Sequence, residues 1–353
     1  MPDDENAMTF ACQLPVSPAS KVIRLGHGSG GTMTSNLISE VFLPIVGNSL
    51  LCELDDAAIV KVDQSDIAVT TDAYVVSPIF FPGGDIGSLA VHGTVNDLTM
   101  RGAKPLFLTA TFILEEGLPI EQLSTIMRSF NSACIKAKVS LIAADTKVVN
   151  KGAADQIFIT TCGIGTVIRH PAPSARRARA GDRILLSGDI GRHGIAIMSC
   201  REGLELETQI VSDSQPLDEI VARMLEVSDG IHCLRDITRG GLASVLNELA
   251  VSAHVGVRIN EDAIPVHSEV RAVCELLGLD PLYVACEGRF VAIVSSEAAD
   301  ALLAVMTKQP GAEGARVIGE VVADHPDRVV LQTRVGGKRI VDKLSGEQLP
   351  RIC

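Results

Sequence analysis

The sequence predicts an α+β (αβ) protein made of two αβ domains. Three observations predict this class. The chain has 353 residues, more than one compact domain usually holds. Runs rich in β-branched residues alternate with segments of helical apolar spacing in both halves. Between the halves lies RHPAPSARRARAGD, which begins at residue 169 and combines prolines, clustered arginines and no apolar period, so we place the domain boundary at about 169–180.

The elements follow in chain order. Residues 1–20 are polar and are predicted to be loosely ordered. The first domain, 21–168, is predicted to contain helical segments, among them PIEQLSTIMRSFNSACIKAKV, and the strands KVIRL, IAVTTDAYVV, PLFLTATFIL, VSLIAAD and IFITTCGIGTVI. The second domain, 169–336, is predicted to contain the strand RILLSG, a helix through GIAIMSCREG and the strand FVAIVSS. Residues 337–353 form a polar segment, predicted to be a mobile tail.

Composition excludes several classes of function. The net charge of -12 argues against nucleic acid as the main partner, because binding to phosphates needs clustered Lys and Arg. No apolar run is long enough to cross a bilayer, and the acidic start MPDDENAMTF is unlike a secretory signal. Nine cysteines without C-x-x-C spacing argue against a disulfide framework or a structural zinc site. These features together predict a protein of the reducing cytoplasm.

A glycine-rich stretch, GHGSGG, spans Gly26 to Gly31 between KVIRL and the helical TMTSNLISEVF. Glycines let backbone N–H groups converge on an anion, and a following helix adds its dipole. The stretch matches neither a Walker A loop nor a Rossmann fingerprint. A phosphate cradle and a flexible turn both remain open from this stretch alone.

A series of acidic residues lies in or beside predicted elements of the first domain. A helix from Ile86 would place Asp97 inside its apolar stripe, where a carboxylate is costly unless it is paired or binds a metal. Further acids stand where strands are expected to end, namely Asp55, Asp56, Asp72 and Asp145. Each alone is most often a cap or turn residue. Several carboxylates without His or Cys ligands suit Mg²⁺, and Lys147 beside Asp145 could reach phosphate oxygens, so the set predicts a nucleoside triphosphate site.

The second domain and the tail add three candidates. Asp236 precedes the Gly-Gly helix start of RDITRGGLASVLNEL, and Glu287 precedes the strand FVAIV. Cys353 is the last residue, in LPRIC. An exposed free thiol is uncommon, and prenylation would need three more residues, so we interpret Cys353 as a tethered nucleophile.

These motifs together resemble the HypE family of hydrogenase maturation proteins, in the superfamily of aminoimidazole ribonucleotide synthetase and selenophosphate synthetase. The resemblance covers the chain from about residue 21. It rests on GHGSGG, FFPGGDIGSLAVHGTVNDLTMRGAKPL, DTKVV, RDITRGGLA, EGRFVAIV and the terminal PRIC. It implies two domains of the aminoimidazole ribonucleotide synthetase type, with the N-terminal sheet pairing in a homodimer.

The resemblance also implies a reaction and a set of site residues. Cys353 would accept a carbamoyl group from HypF, and ATP would drive dehydration of the thiocarboxamide to a thiocyanate. The cyano group would pass to iron held by the HypC–HypD complex, for the [NiFe] hydrogenase site. The implied roles are proton handling by Lys147 and Glu287, magnesium binding by Asp56, Asp97 and Asp236, and nucleotide binding by Gly28, Gly30, Gly31, Asp72 and Asp145.

Two positions depart from the family pattern, and two other functions stay open. Ile237 stands where Pro is usual and Cys286 where Asn is usual, which adds a thiol near the expected site. One alternative is an ATP-dependent synthetase or kinase for a small molecule, such as one that makes selenophosphate, although Cys12 lacks the flanking glycine and nearby Lys expected there. The other is a carrier that uses ATP only to position its tail.

Overall fold

The computed structural model describes residues 22–201, 210–344, 349 and 351–353. Within them the chain forms two large sheets, one built from residues 58–167 and the other from residues 183–340. The predicted αβ class is confirmed. The N-terminal segment expected to be loosely ordered lies outside the described residues.

The first sheet has five strands in the order β1-β2-β7-β5-β6, antiparallel except for the parallel pair β5 and β6. A separate hairpin joins β3 to β4. The strands are β1 Ala58–Val62, β2 Ser65–Tyr74, β3 Phe80–Phe81, β4 Gly84–Asp85, β5 Ala103–Glu115, β6 Ser140–Val149 and β7 Ile157–Val167. Its long helices are α3 (Ile86–Met100) and α4 (Ile120–Lys136), preceded by the shorter α1 (Thr32–Leu37), a π-helical turn (Ile38–Phe42) and α2 (Leu43–Val46).

Helix α3 begins at a capping box and is almost wholly buried. The Asp85 carboxylate accepts hydrogen bonds from the N–H groups of Gly87 (2.8 Å) and Ser88 (3.0 Å), and the Ser88 hydroxyl is bonded back to the backbone of Asp85. Gly87 allows close packing, because a Cβ there would lie 2.5 Å from the carbonyl oxygen of Ile126 in α4. The helix therefore lies tightly between the sheet and α4.

Strand β6 is an open edge of the first sheet. Its residues are exposed except at Val149, and the apolar side chains of Leu141, Ile142 and Val148 face solvent. Apolar side chains are also exposed along α2 and its neighbours, at Val41, Phe42, Ile45, Val46, Leu50, Leu51 and Leu54. Exposed apolar edges of this kind are typical of surfaces that pair with another chain.

The second sheet has seven strands in the order β14-β13-β10-β12-β8-β11-β9. They are β8 Arg183–Leu186, β9 Ile231–Asp236, β10 Gly256–Asn260, β11 Phe290–Val294, β12 Arg316–Val322, β13 Val329–Gln332 and β14 Lys338–Ile340. The helices are α5 Arg192–Ser199, α6 Asp218–Val227, α7 Gly241–Ala253, α8 Ser268–Leu277 and α9 Ala299–Met306. Ile184 and Leu186 pack with the α7 side and Leu185 with α6 and α9, so the central strands are buried on both faces and read as continuous apolar runs.

Two local predictions differ from the structure. Residues 22–25 of KVIRL form no strand: Leu25–Gly28 is a 3₁₀ turn, Val22, Ile23 and Leu25 are exposed, and none of the described strands pairs with this segment. The predicted tail from residue 337 begins within the sheet, since Lys338–Ile340 pairs with β13 as β14. None of the described helices is long and apolar enough to cross a bilayer.

Candidate active site

A pocket of about 250 Å³ lies between the two sheets. The first half contributes side chains from the turn before β1, from β2 and from α3, and the second contributes the end of β9, the turn before α7 and the segment before β11. Its polar lining includes Asp56, Asp72, Tyr74, Asp97, Arg235, Asp236, Arg239, Glu248 and Glu287, together with Cys353.

Three carboxylates meet in this pocket, and we call Asp56, Asp97 and Asp236 the acid cluster. Each offers an oxygen, and these oxygens lie within 4.8 Å of one another. Burial, and then the neighbouring carboxylates, raises the pKa of Asp97 and of Asp236 well above the usual range, and burial raises the pKa of Asp56 to about 6. When they are ionised, the three carboxylates therefore repel one another, and the neighbouring cations among the described residues only partly offset this repulsion.

The acid cluster fits a hard divalent cation. Its donors are all carboxylate oxygens, the ligand type that Mg²⁺ prefers. The Oδ2 atom of Asp56 is buried without a hydrogen-bond partner among the described residues. One nearby cation is Arg235, whose Nε lies 2.9 Å from Asp56 Oδ1, but it is also drawn to Glu248 at 3.1 Å. A buried carboxylate oxygen without a hydrogen-bond partner is costly, and coordination to a cation would offset that cost.

Asp72 lies beside the acid cluster, on strand β2. Its Oδ2 accepts a hydrogen bond from the Thr94 hydroxyl at 3.1 Å, and burial raises its pKa. The acids do not share the predicted position at strand ends, because Asp56 precedes β1 and Asp72 lies within β2. Asp55 has a structural contact instead, pairing with Arg101 and accepting a hydrogen bond from Ser174 Oγ at 2.8 Å.

Cys353 lies in the pocket, next to these carboxylates. Its main-chain oxygen accepts a hydrogen bond from Val75 N–H at 3.1 Å. Burial raises the pKa of its thiol to about 12, and the Arg239 guanidinium opposes that shift. Arg351, two residues earlier in sequence, does not serve the thiol, because its side chain pairs with Asp155 and with the Val75 carbonyl.

Glu287 faces the same pocket from the segment before β11. It is buried, and its Oε1 atom has no hydrogen-bond partner among the described residues. Its N–H donates to Asp213 Oδ1 at 3.1 Å, which orients the backbone there. Burial, and then the charge of Asp236, raises the pKa of Glu287 well above its usual range. A carboxylate with a raised pKa is a stronger base once it is ionised.

The glycine-rich stretch borders the pocket only at Gly30. The N–H of Gly30 already donates to Thr34 Oγ1 at 2.9 Å, and a Cβ on this left-handed residue (φ +77) would lie 2.8 Å from Arg239 Cβ. Gly28 contacts Arg239 through its carbonyl at 3.2 Å, and a Cβ on Gly31 would collide with the carbonyl oxygen of Leu344. The stretch packs against Arg239 and the start of the tail, and binding of phosphate by its N–H groups stays a prediction.

Asp145 and Lys147 lie elsewhere in the single chain. Both are exposed on β6, where Lys147 Nζ is 2.7 Å from Asp145 Oδ2, and neither lines the pocket. The hydrogen bond from Lys147 lowers the pKa of Asp145. Any role for these residues in the pocket would need a second chain.

Residues that the sequence did not single out complete the site. Arg235 and Arg239 lie on either side of Asp236 in RDITRGG, and two cations beside a candidate metal ligand could have indicated from the sequence that they belong to the site. Tyr74 adds a phenol whose pKa burial raises well above the usual range. The two departures lie behind the pocket, since Cys286 Sγ accepts a hydrogen bond from Gly191 N–H at 3.2 Å and Ile237 N–H donates to the Arg289 carbonyl at 2.8 Å.

Comparisons with known proteins agree with this fold and site. Residues 54–167 match the AIR synthase related protein, N-terminal domain, and residues 179–332 match the C-terminal domain of the same family. The two sheets and the pocket between them thus define an AIR synthase related protein.

More specific relatives narrow the class. The chain is 53% identical to "Carbamoyl dehydratase HypE" of Bradyrhizobium diazoefficiens, over 94% of this chain and 96% of that protein. A structure of HypE in complex with ATP superimposes with a TM-score of 0.79 at 48% identity, covering 93% of this chain and 98% of that one. A HypE–HypF complex gives 0.83 at 45% identity, covering 87% and 99%. The chain belongs to the carbamoyl dehydratase HypE family, and the resemblance drawn from its motifs is confirmed.

Proposed function

We propose that this chain dehydrates a carboxamide carried on Cys353 to a thiocyanate, at the expense of ATP, during maturation of a [NiFe] hydrogenase. The observation that carries the proposal is the position of Cys353, whose thiol lies in the same pocket as Arg239, Glu287 and the acid cluster. A thiol of the chain itself in that place favours a substrate attached to the protein over a diffusible small molecule. The similarity to carbamoyl dehydratases supports the same substrate.

The reaction balances with ATP as the acceptor of the amide oxygen. The carboxamide oxygen attacks the γ-phosphorus of ATP, ADP leaves, and the oxygen becomes part of a phosphate ester. Loss of both N–H protons then forms the C≡N bond as the C–O bond breaks and phosphate departs with the oxygen. The products are S-cyanocysteine, ADP and phosphate. Most of the catalysis in such a transfer is positioning and charge stabilisation.

The pocket supplies groups for each part of this reaction. Glu287 is proposed to take an amide proton, and Arg239 to stabilise negative charge near the sulfur and the transferred phosphoryl group. Asp56, Asp97 and Asp236 are proposed to hold Mg²⁺, with Asp72 beside them. When bound, the ion would neutralise phosphate charge.

The position of Lys147 leads us to propose a homodimer built on the first sheet. The open edge of β6 and the exposed side chains of α2, such as Phe42 at 51% and Ile45 at 76% exposure, support an interface there. Pairing would cover Asp145 and Lys147, which are exposed in the single chain. We propose that they act in the site of the second copy, where Lys147, once it is the neutral amine, would take the second proton and Asp145 would help to bind the nucleotide.

The thiol environment supports loading outside the pocket. Burial raises the pKa of the Cys353 thiol from 9.0 to about 12, which keeps it protonated near neutral pH, so the docked thiol is a poor nucleophile. We propose that HypF carbamoylates Cys353 while the tail is undocked, and that HypC–HypD later receives the cyano group. A similar protein has been solved as a HypE–HypF complex, which supports the first partner. All the cysteines in the described parts of the chain are free thiols, in keeping with the proposed reducing cytoplasm.

The test is the mass of the tail peptide after incubation with HypF and a carbamoyl donor, followed by a second step with or without ATP. We expect a carboxamide on Cys353 that loses one water only when ATP is present. Cys353→Ser should abolish the adduct, whereas Cys200→Ala, which removes an exposed thiol elsewhere, should not. A carboxamide that persists in the presence of Mg²⁺ and ATP would overturn the proposal in favour of a carrier.

A further inference from the structure

The last residues of the chain are bound in a slot that ends at the pocket. We call Leu349 and Arg351–Cys353 the docked tail. Ser77 N–H donates to the Arg351 carbonyl at 3.2 Å and Val75 N–H to the main-chain oxygen of Cys353 at 3.1 Å. The two bonds run from alternate N–H groups of residues 75–77 to alternate carbonyls of the tail, which lies antiparallel beside them without forming a regular strand pair.

Between these two bonds, the carbonyl of Ile352 points the other way and meets His193. The Nε2 atom of His193 lies 2.9 Å from that oxygen, and His193 is wholly buried. The Ile352 side chain is buried as well, in the same apolar cluster as Phe81, whose ring meets the imidazole edge-on with centroids 5.4 Å apart. The histidine therefore contacts the tail at the residue directly before the reactive cysteine.

The hydrogen-bond partners determine the orientation of the imidazole. A carbonyl oxygen only accepts, so Nε2 must carry the proton that it shares with Ile352. In the neutral ring Nδ1 is then the acceptor, and it lies 2.8 Å from Ser212 Oγ, which must donate to it. Ser212 Oγ in turn accepts from Ser214 N–H at 3.1 Å. This relay holds the donor of His193 toward the tail.

The peptide that His193 holds is the one that sets the direction of Cys353. The carbonyl carbon of Ile352 is bonded to the nitrogen of Cys353, so fixing this planar group leaves few rotations before Sγ. Arg201 adds support from the same side, since its guanidinium donates to the Arg351 carbonyl at 3.1 Å and to the Ser77 carbonyl at 3.2 Å. In the described parts of the chain, His193 is the side chain that bonds to the main chain of Ile352.

We infer that His193 is a positioning residue which holds the docked tail, and with it the group carried on Cys353, in line with the pocket. The expected effect of His193 on the rate of dehydration rests on the proposed function, but its expected effect on docking of the tail does not. His193 acts on the docked state alone, because an undocked tail leaves its Nε2–H without the Ile352 partner. It should therefore favour the chemical step and not the loading of Cys353.

The test replaces His193 with a residue of similar volume that cannot donate, and with one that can. His193→Phe removes the donor, whereas His193→Gln keeps an amide N–H near the position of Nε2. Loss of one buried hydrogen bond should speed alkylation of Cys353 by iodoacetamide roughly 5- to 100-fold in the Phe variant, with recovery toward the native rate in the Gln variant. Cys233, a buried thiol, serves as the internal control for folding because it should stay protected from iodoacetamide, and the exposed Cys200 controls for the reagent.

The same variants separate docking from chemistry. With Cys353 already carbamoylated, ATP-driven loss of water should slow by a similar factor in the Phe variant, while carbamoylation by HypF should not slow. Unchanged alkylation of Cys353 in His193→Phe would overturn the inference. Faster alkylation in a protein whose native form never dehydrates the carboxamide would leave the inference standing and defeat the proposed function.

A second measurement does not depend on a buried substitution. Deleting residues 349–353 removes the acceptor and leaves His193 native. The ¹⁵N resonances of its ring should then change, since Nε2–H loses the Ile352 carbonyl. Ring resonances that are identical with and without the tail would equally refute the inference.

Discussion

Replacing Asp97 by Asn should make the metal-free protein more stable and at the same time remove its response to magnesium. Asp97 shares the acid cluster with Asp56 and Asp236, whose oxygens lie within 4.8 Å of one another. Two unit charges at 4.8 Å repel by about 3.5 kcal/mol at an effective dielectric constant of about 20. Proton uptake already relieves part of this, because the pKa values of the cluster are raised.

The expected gain in unfolding free energy is therefore smaller than the full repulsion of one ionised pair. We expect Asp97→Asn to gain about 1–2 kcal/mol of unfolding free energy in EDTA, or a rise in Tm of roughly 2 to 6 °C. Magnesium with ATP should raise the Tm of the native protein, because a ligand of the folded state stabilises it by mass action. The Asn variant should lose most of that rise, since one ligand of the cluster has gone.

Differential scanning calorimetry in EDTA and in Mg²⁺ with ATP measures both effects. Asp300→Asn, which removes an exposed acid on α9, is the matched control and should change neither value. A lower Tm for Asp97→Asn in EDTA would refute the argument that repulsion dominates the cluster. A full response to magnesium in that variant would refute the assignment of Asp97 as a ligand.

The cluster also predicts how stability varies with pH in the absence of metal. The folded pKa of Asp56, about 6, lies above its ordinary value of 3.8, so the folded chain binds this proton more tightly than the unfolded chain does. Its contribution to stability is present below about pH 4 and is lost as the pH rises through 6. Urea unfolding in EDTA should show that decline, and excess Mg²⁺ should flatten it.

Three further predictions follow from the pocket and the tail. Glu287→Gln should slow the loss of water from a carbamoylated tail by about 10²- to 10⁴-fold, the usual effect of losing a general base, without weakening ATP binding measured by calorimetry; a smaller loss would make Glu287 a structural residue. Burial lowers the pKa of His193 from 6.5 to about 4, so its contribution to the free energy of unfolding should be full above pH 6.5 and lost as the pH falls toward 4. Urea unfolding of the native protein should show that decline, and an equal decline in His193→Gln would contradict it. If Lys147 acts in the second copy, mixing the inactive Lys147→Ala and Glu287→Gln proteins should restore up to about one quarter of native activity, because half the dimers are mixed and each has one intact site; no recovery after subunit exchange would place Lys147 in its own chain's site or outside catalysis.

The sequence predicted what depends on local period and residue chemistry. Helical spacing from Ile86 placed Asp97 on the buried face of α3, where the structure has it. Carboxylates without His or Cys partners indicated a hard cation, and Asp56, Asp97 and Asp236 do converge. The class of fold and the family also followed from local motifs.

What depends on distant partners was not predictable in this way. KVIRL has the composition of a strand, but a strand needs another strand to pair with, and no strand in the described part of the chain pairs with residues 22–25. Ile120 has helical spacing with Phe130, yet it is 76% exposed at the first turn of α4, beyond the edge of the apolar contact. The cation near the Cys353 thiol is Arg239 and not Arg351, two residues earlier in sequence, because the path of the tail decides which charge the thiol meets.

Helix α3 has a consequence for how the molecule can move. Its residues belong to separate apolar cores: Leu89 and Val95 pack with the first domain and α4, whereas Met100 packs with α6 and α9 of the second. A hinge motion between the domains would have to separate α3 from one of these cores, and it would move Asp97 as well. The two domains are therefore held rigidly together through α3. A catalytic cycle that needs a large displacement must make it with the last few residues of the chain. Mutations in the tail should then change the turnover rate, whereas changes in the rigidity of the two domains should have little effect on it.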